Sequence, residues 1–332
     1  MPRVRVGILG CGGYARRHAR EYVAHPDVDV VALCDVSEEA VKRFRKEQFA
    51  EVKRRPKAFT DAAEMYGASK LDAVSVVTPH TLHFEHCCQA LEAGCHVLVE
   101  KPMVTRLADA VALEKKVAEA GRILCIGYNT SCSVEFAKLR EMIRSEELGK
   151  LKVVSLYISQ PWYFGTQGTW RQETELSGGG MIYDSGAHVL NSLVWTVESD
   201  VEQVHAWIDN FGCPVDINGT INAKFTNGVL ATVAVSGVSP SGSFGVWMFE
   251  SGRVEADPWG SGFINIFRRE GHRTRREKYP VMPGEDSAPV ANFVDAILGR
   301  AEPATSPRNG IQQSQLMDAV YESARTGRPA RP

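Results

Sequence analysis

Residues Gly10-Cys11-Gly12-Gly13-Tyr14-Ala15 stand directly between a β-rich run, Val4 to Leu9, and a run of helical periodicity from Tyr14 to about Ala24. The pattern is GxGxxA. Gly10 permits a tight turn, Gly12 lets backbone approach a pyrophosphate, and Ala15 allows close packing of helix on strand. Backbone N–H groups at the helix start then face the anion. Glycine-rich turns also occur for purely structural reasons, so the context carries the argument. Roughly 20 residues on, Asp35 ends a second strand-like run, where a carboxylate hydrogen-bonds the adenosine ribose hydroxyls. The combination predicts a dinucleotide site. Asp35 would repel a 2′-phosphate, and Val36 and Ser37 bring no compensating arginine, which favours NAD over NADP.

The alternation continues through the first 127 residues. Strands are predicted over Asp29 to Cys34, Ala73 to Val77, His96 to Val99 and Ile123 to Ile126. Helices are predicted over Glu38 to Phe49, Thr81 to Ala93 and Leu107 to Ala120. Short strands alternating with helices predict a doubly wound parallel sheet, an α/β Rossmann domain. After Gly127 the rhythm changes. A helix over Val134 to Arg144 leads into a strand over Leu151 to Ser159, and a second helix is expected from Met181 to Trp195. Strands then follow over Val201 to Trp207, Gly219 to Phe225, Val229 to Ser236, Phe244 to Phe249 and Ile264 to Arg268. Tight turns such as Thr226-Asn227-Gly228 make these antiparallel neighbours. Helices near Pro289 to Leu298 and Gly310 to Ala324 close the chain. The expected division is a dinucleotide-binding domain over 1–127 and an α+β domain over 128–332 with a large, mostly antiparallel open sheet.

A length of 332 residues suits two domains. The net charge of −2 argues against binding nucleic acid through counterion release. No apolar run approaches the roughly 20 residues that cross a bilayer, and the N-terminus enters a strand without a signal-peptide core. Eight cysteines are scattered without a CxxC pair, as expected of reduced thiols in a cytoplasmic protein. His80, His83, His86, Cys87 and Cys88 do not follow the spacing of a closed zinc site, so no metal is expected. The arginines at 268, 269, 273, 275 and 276 are expected on a solvated hairpin.

Four segments carry a more specific signal. They are GCGGYARRH (Gly10 to His18), VVTPHTLH (Val76 to His83), AGCHVLVEKP ending in Glu100-Lys101-Pro102, and SGGGMIYDSGAH (Ser177 to His188) with Trp170-Arg171 just before it. In this order they resemble the Gfo/Idh/MocA family, which includes glucose–fructose oxidoreductase and inositol dehydrogenase. The resemblance spans nearly the whole chain. It implies a nicotinamide-dependent enzyme that exchanges a hydride with a hydroxyl or keto carbon of a sugar or polyol. It implies that Lys101, Asp184 and His188 carry catalysis, with a Lys-Pro bond that is often cis. Cofactor contacts implied by position are Gly10, Gly12, Gly13, Tyr14, Asp35, Thr78, His83, Glu100, Lys101 and Asn129. The substrate side would add Trp162, Trp170 and Arg171 to the catalytic three.

The residue chemistry agrees with those roles. Taking hydride from an alcohol requires a base for the hydroxyl proton and a polar partner for the developing alkoxide. Asp184 and His188 are four apart, which on a helix puts both on one face. An imidazole titrates near neutrality, so His188 is the expected general base in oxidation and general acid in reduction. Asp184 would orient the substrate hydroxyl or assist the proton transfer, and Lys101, at the carboxyl end of a parallel strand, would stabilise alkoxide and tune the reacting proton.

Two positions depart from the family. Thr130 and Ser131 follow Asn129 where members often carry an arginine, and Asn191 stands where an acid is common. Both favour a neutral sugar, sugar derivative or cyclic polyol. Trp162-Tyr163-Phe164 with Trp170 fits either a sugar-stacking platform or a packed aromatic loop. Two other functions share the motifs: an NAD-dependent glycosidase that oxidises transiently and eliminates, and a non-catalytic regulator that senses sugar or NAD. An open sheet in the second domain would pair in a homodimer or homotetramer.

Overall fold

The computed structural model describes residues 3–260, 262–279 and 288–332. Its first sheet comprises β1 (Val4–Leu9), β2 (Val28–Cys34), β3 (Lys57–Phe59), β4 (Ala73–Val76), β5 (His96–Val99) and β6 (Leu124–Ile126). All neighbours are parallel, in the order β3-β2-β1-β4-β5-β6. The order reverses between β1 and β4, and doubly wound sheets bind ligands beyond the carboxyl ends at such a reversal. The GxGxxA turn leaves β1 there.

The crossovers are α1 (Ala15–Ala24), α2 (Glu38–Gln48), α3 (Ala62–Ala68), α4 (His83–Glu92) and α5 (Leu107–Ala120). Their ends follow local chemistry. Ser37 caps α2 by accepting the Ala40 N–H at 3.2 Å, with Glu38 and Glu39 in the first turn and Arg45 and Lys46 in the last. Asp61 caps α3 by accepting the Glu64 N–H at 2.7 Å. Gly121, left-handed at φ 59°, ends α5.

The second sheet comprises β7 (Leu151–Ser159), β8 (Val201–Asp209), β9 (Asn218–Phe225), β10 (Leu230–Ser236), β11 (Gly242–Phe249), β12 (Gly252–Ala256), β13 (Ile264–Glu270) and β14 (Arg273–Lys278). Its order is β14-β13-β12-β11-β7-β10-β9-β8, antiparallel throughout except between β7 and β10. The arginine-rich run forms the β13–β14 hairpin, with Arg268 opposite Arg275 and bonded to Glu277 and Glu147. Burial alternates along β9 and β10, so one face of the sheet is core and the other is open. The helices α6 (Val134–Arg144), α7 (Trp162–Gly165), α8 (Thr174–Ser177) and α9 (Gly186–Val197) belong to this half. Every residue of α9 is buried, and Val189, Leu190, Leu193 and Val194 share a core with Trp247, Val233 and Phe225.

Two helices follow, α10 (Pro289–Ile297) and α11 (Pro307–Thr326). The chain forms two compact units, one running to Gly127 and taking in Ala288–Arg308, the other holding the remainder. The expected boundary at 127/128 is present, but Ala288–Arg308 joins the first unit instead of staying with the second. Phe293 and Val294 are fully buried in the core of the first sheet, and Thr305 Oγ1 accepts the Ile126 N–H at 2.8 Å.

A second difference lies near the triple glycine. The helix expected from Met181 begins only at Gly186, and Asp184 sits in the turn before it. Asp216 holds this turn from a distant part of the chain. Its carboxylate accepts the Gly180 N–H at 2.6 Å, the Ile182 N–H at 2.7 Å and the Tyr321 hydroxyl, while its carbonyl accepts the Met181 N–H at 2.8 Å. These bonds tie the Gly180–Ile182 turn to Asp216, and the Asp184 N–H donates to the Gly180 carbonyl at 2.9 Å. A Cβ on Gly180 would overlap the Asp216 carbonyl, so glycine is required where the two backbones meet. Burial pushes the Asp216 carboxyl pKa up, and these hydrogen bonds pull the other way. Asp216→Ala leaves two buried N–H groups and a hydroxyl without their acceptor. It should lower stability by about 2–4 kcal/mol, measured by urea denaturation; an unchanged midpoint would remove Asp216 from this role.

Candidate active site

In the first unit the glycine turn is built to receive an extended anion. Gly10 is left-handed at φ 95°, and a Cβ there would run into the Val77 carbonyl, so β1 and β4 approach more closely than any other residue allows. Gly12 and Gly13 have no atom within 4 Å of the place a Cβ would take, which leaves the outer side of the turn open. Ala15 is fully buried where α1 meets the sheet, and Tyr14 provides no side-chain cap for the helix N-terminus. Asp35 is held beside the turn: Oδ2 accepts the Cys11 N–H at 2.8 Å and Oδ1 the Ser37 N–H at 3.0 Å. Open glycines, a helix start without a side-chain cap and a fixed carboxylate fit a dinucleotide.

Thr78, His83, Glu100 and Lys101 surround the ends of β4 and β5. His83 is fully buried, with Nδ1 2.8 Å from the Pro102 carbonyl and Nε2 2.9 Å from the Thr78 carbonyl. The ring therefore ties two loops together. Burial pushes its pKa down, in part offset by these carbonyls. Thr78 Oγ1 lies 2.9 Å from His86 Nδ1. Glu100 is buried beneath the turn, its Oε1 2.8 Å from His18 Nε2 and its Oε2 accepting the Lys101 N–H at 3.3 Å. His18 Nδ1 continues to Ser75 Oγ at 3.1 Å, and Ser75 to the Tyr22 hydroxyl at 2.7 Å. Lys101 is half-buried and joined to Pro102 by a cis peptide bond. His18, Ser75 and Tyr22 were not among the expected site residues; His18 lies inside the GCGGYARRH segment, whereas nothing in the sequence pointed to Ser75.

In the second unit Asp184 is buried and shared. Its Oδ2 accepts Trp162 Nε1–H at 2.8 Å and Arg171 Nε–H at 2.9 Å. The Arg171 guanidinium also lies 4.7 Å from the Trp170 ring centroid. Trp162 is thus a buried anchor for Asp184. Tyr163 packs edge-on against Phe164 and Phe211, while Phe164 remains exposed. The aromatic segment divides accordingly: two rings pack and one faces solvent.

His188 lies two residues into α9 and is buried between rings, Trp259 at 4.3 Å and Tyr128 edge-on at 5.8 Å. Because Asp184 precedes the helix, the two do not share a helix face as their spacing suggested. Tyr128 is fixed by its hydroxyl donating to Gln313 Oε1 at 2.5 Å, and Gln313 Nε2 donates to the Ala187 carbonyl at 3.0 Å. Trp259 is presented by Asp257, whose Oδ1 accepts the Trp259 N–H at 2.8 Å and the Ser243 hydroxyl. Asn129 begins the 3₁₀ turn Thr130–Cys132. Asn191 is fully buried and donates to Ser131 Oγ at 3.1 Å. Tyr128 and Trp259 escaped the sequence reading, although the Asp257-Pro258-Trp259-Gly260 turn was a usable signal. Among the described residues no three His, Cys, Asp or Glu side chains converge as a metal site, and no helix is long and apolar enough to cross a membrane.

Residues 4–128 match the oxidoreductase family with an NAD-binding Rossmann fold, and residues 136–255 match the Gfo/Idh/MocA C-terminal domain. The chain belongs to the Gfo/Idh/MocA oxidoreductase family. Its first unit is that family's NAD-binding domain. It is 30% identical over 195 residues to the D-glucoside 3-dehydrogenase of Escherichia coli (strain K12), covering 58% of this chain and 54% of that one. The chain thus spans about half the length of that relative. It is 25% identical over 338 residues to the 1,5-anhydro-D-fructose reductase of Ensifer adhaerens, covering 98% of both. The fold is also that of the WlbA dehydrogenase from Bordetella pertussis, solved with NADH and UDP-GlcNAcA, at a TM-score of 0.83, 23% identity and 99% coverage of each chain.

Removing the Asp35 carboxylate should weaken NAD binding about tenfold or more, the scale of one charge-assisted hydrogen bond. Titration calorimetry of Asp35→Ala against the parent checks this; equal affinities would take Asp35 out of the ribose contact.

Proposed function

We propose that this chain is an NAD-dependent oxidoreductase acting on a CH–OH or keto carbon of a neutral sugar, sugar derivative or cyclic polyol. The observation that carries the reading is His188, a buried imidazole held between Trp259 and Tyr128 one turn beyond the Asp184 carboxylate. The relatives named above act on a glucoside and an anhydro-sugar, which supports a carbohydrate substrate. The bound nicotinamide supplies the hydride acceptor in oxidation and the donor in reduction.

The chain's own residues would manage the proton and the charge. An imidazole nitrogen of His188 takes the hydroxyl proton as the carbonyl forms and returns it in reduction. The flanking rings hold the imidazole in one orientation, so little reorganisation is required at reaction. Lys101 keeps the role that the family resemblance implies, an ammonium that stabilises alkoxide. Asp184 keeps its expected task of orienting the substrate hydroxyl, and its Oδ2 also fixes Trp162 and Arg171.

The open face of the second sheet carries Tyr157, Trp207, Leu230 and Met248 exposed, and we propose homo-oligomerisation through it. The activity is tested by screening sugars, inositols and glycosides with NAD and NADP at the reduced-nicotinamide absorbance band. His188→Ala should lower kcat/KM by about 100-fold or more, the usual worth of a general acid–base, while NAD affinity holds. Turnover at the parent rate in that variant would overturn the proton assignment. Glycoside cleavage without NADH accumulation would turn the reading to redox-neutral elimination.

A further inference from the structure

Glu135 is buried at 3% exposure, and neither oxygen of its carboxylate has a hydrogen-bond partner. It sits in the first turn of α6, whose N-terminus is already capped by Ser133 accepting the Phe136 N–H. A helix dipole favours an acid there, but much less than burial of a lone carboxylate disfavours it. The neighbourhood repeats the pattern. Asn191 is fully buried with its Oδ1 lacking a partner, and Asn129 Oδ1 is a third buried acceptor in the same condition. Asn191 bonds Ser131 in the 3₁₀ turn that leads into α6, and Gly260 and Gly262 approach Thr130 of that turn and Glu135.

The same residues lead to His188 through α9 and through Trp259. Asn191 is three residues beyond it on α9, and the Trp259 ring lies over its imidazole. Trp259 begins a short stretch that reaches Gly262, where a Cβ would lie 3.7 Å from Glu135 Oε1. Three residues of chain span at most about 10 Å, which bounds how far the carboxylate lies from the imidazole's neighbour. Three side chains that accept and one formal negative charge are a demand for donors. A hydroxyl both donates and accepts, whereas an ammonium only donates and also supplies the countercharge.

We propose that Glu135, with Asn191 and Asn129, is a subsite for a protonated amino substituent on the substrate ring, making an amino sugar or aminocyclitol the preferred substrate class. This rests on the reading of the chain as a carbohydrate oxidoreductase and narrows it: the scaffold is polyhydroxylated, but the ring bears a cation. Thr130 and Ser131, beside these residues, carry no opposing positive charge.

The test pairs compounds that differ only in an amino group for a hydroxyl, at each ring position, and measures both kcat/KM with NAD and calorimetric binding to the NADH-loaded protein. One amino isomer should be preferred over its hydroxyl partner by about tenfold or more. Glu135→Gln, which keeps the shape and removes the charge, should collapse that ratio toward one. Glu141→Gln, on the exposed side of α6, should keep it. No preference in the parent, or a preference that survives Glu135→Gln, overturns the subsite. Selective calorimetric binding of the amine without turnover would sustain the subsite and overturn the redox reading instead. Binding of neither member of any pair overturns both.

Discussion

The site in the second unit depends on Asp216, a carboxylate that takes no part in chemistry. Two N–H groups, one hydroxyl and its own carbonyl hold Gly180, Met181, Ile182 and Tyr321 in register. A buried carboxylate is costly unless its acceptor sites are filled. Here every filled site is also a positional constraint on the loop, so desolvation and placement are solved by the same bonds.

The first unit follows a similar plan with a different residue. Glu100 is buried under the glycine turn, joined to His18 on α1 and to the Lys101 N–H. Gly127 is required beside it, because a Cβ would come within 2.7 Å of Oε1. One carboxylate thus couples the helix that opens the dinucleotide turn to the strand end that carries Lys101. His83 makes a second tie, from Thr78 to Pro102. In both units buried polar pairs restrict how the loops that carry Thr78, Lys101 and Asp184 move.

What the sequence made legible follows from this arrangement. The GxGxxA turn and the buried parallel strands are local patterns, and their periods survive in the chain as written. The second sheet was readable as a set of strands because its alternation is regular, but the parallel contact of β7 with β10 was not, since register between distant strands leaves no local mark. β3 and α3 are short and follow a charged stretch, so no period could develop. Asp216 was invisible: one Asp in a loop has no signature until its partners, 34 and 36 residues earlier and 105 later, are brought to it. The start of α9 was misread for the same reason. The segment from Met181 has helical periodicity, but its backbone turns against Asp216 before α9 begins at Gly186.

The occupancy of Asp184 bears on how labour is divided between the two residues that the motif pairs. A carboxylate whose one oxygen accepts from both an indole and a guanidinium is held in one orientation. Tyr128 meets the His188 ring with an edge and Trp259 with a tilted face, contacts that fix the ring plane. The proposed division of labour follows: Asp184 is assigned to orienting a hydroxyl, and the proton transfer is assigned to the imidazole of His188.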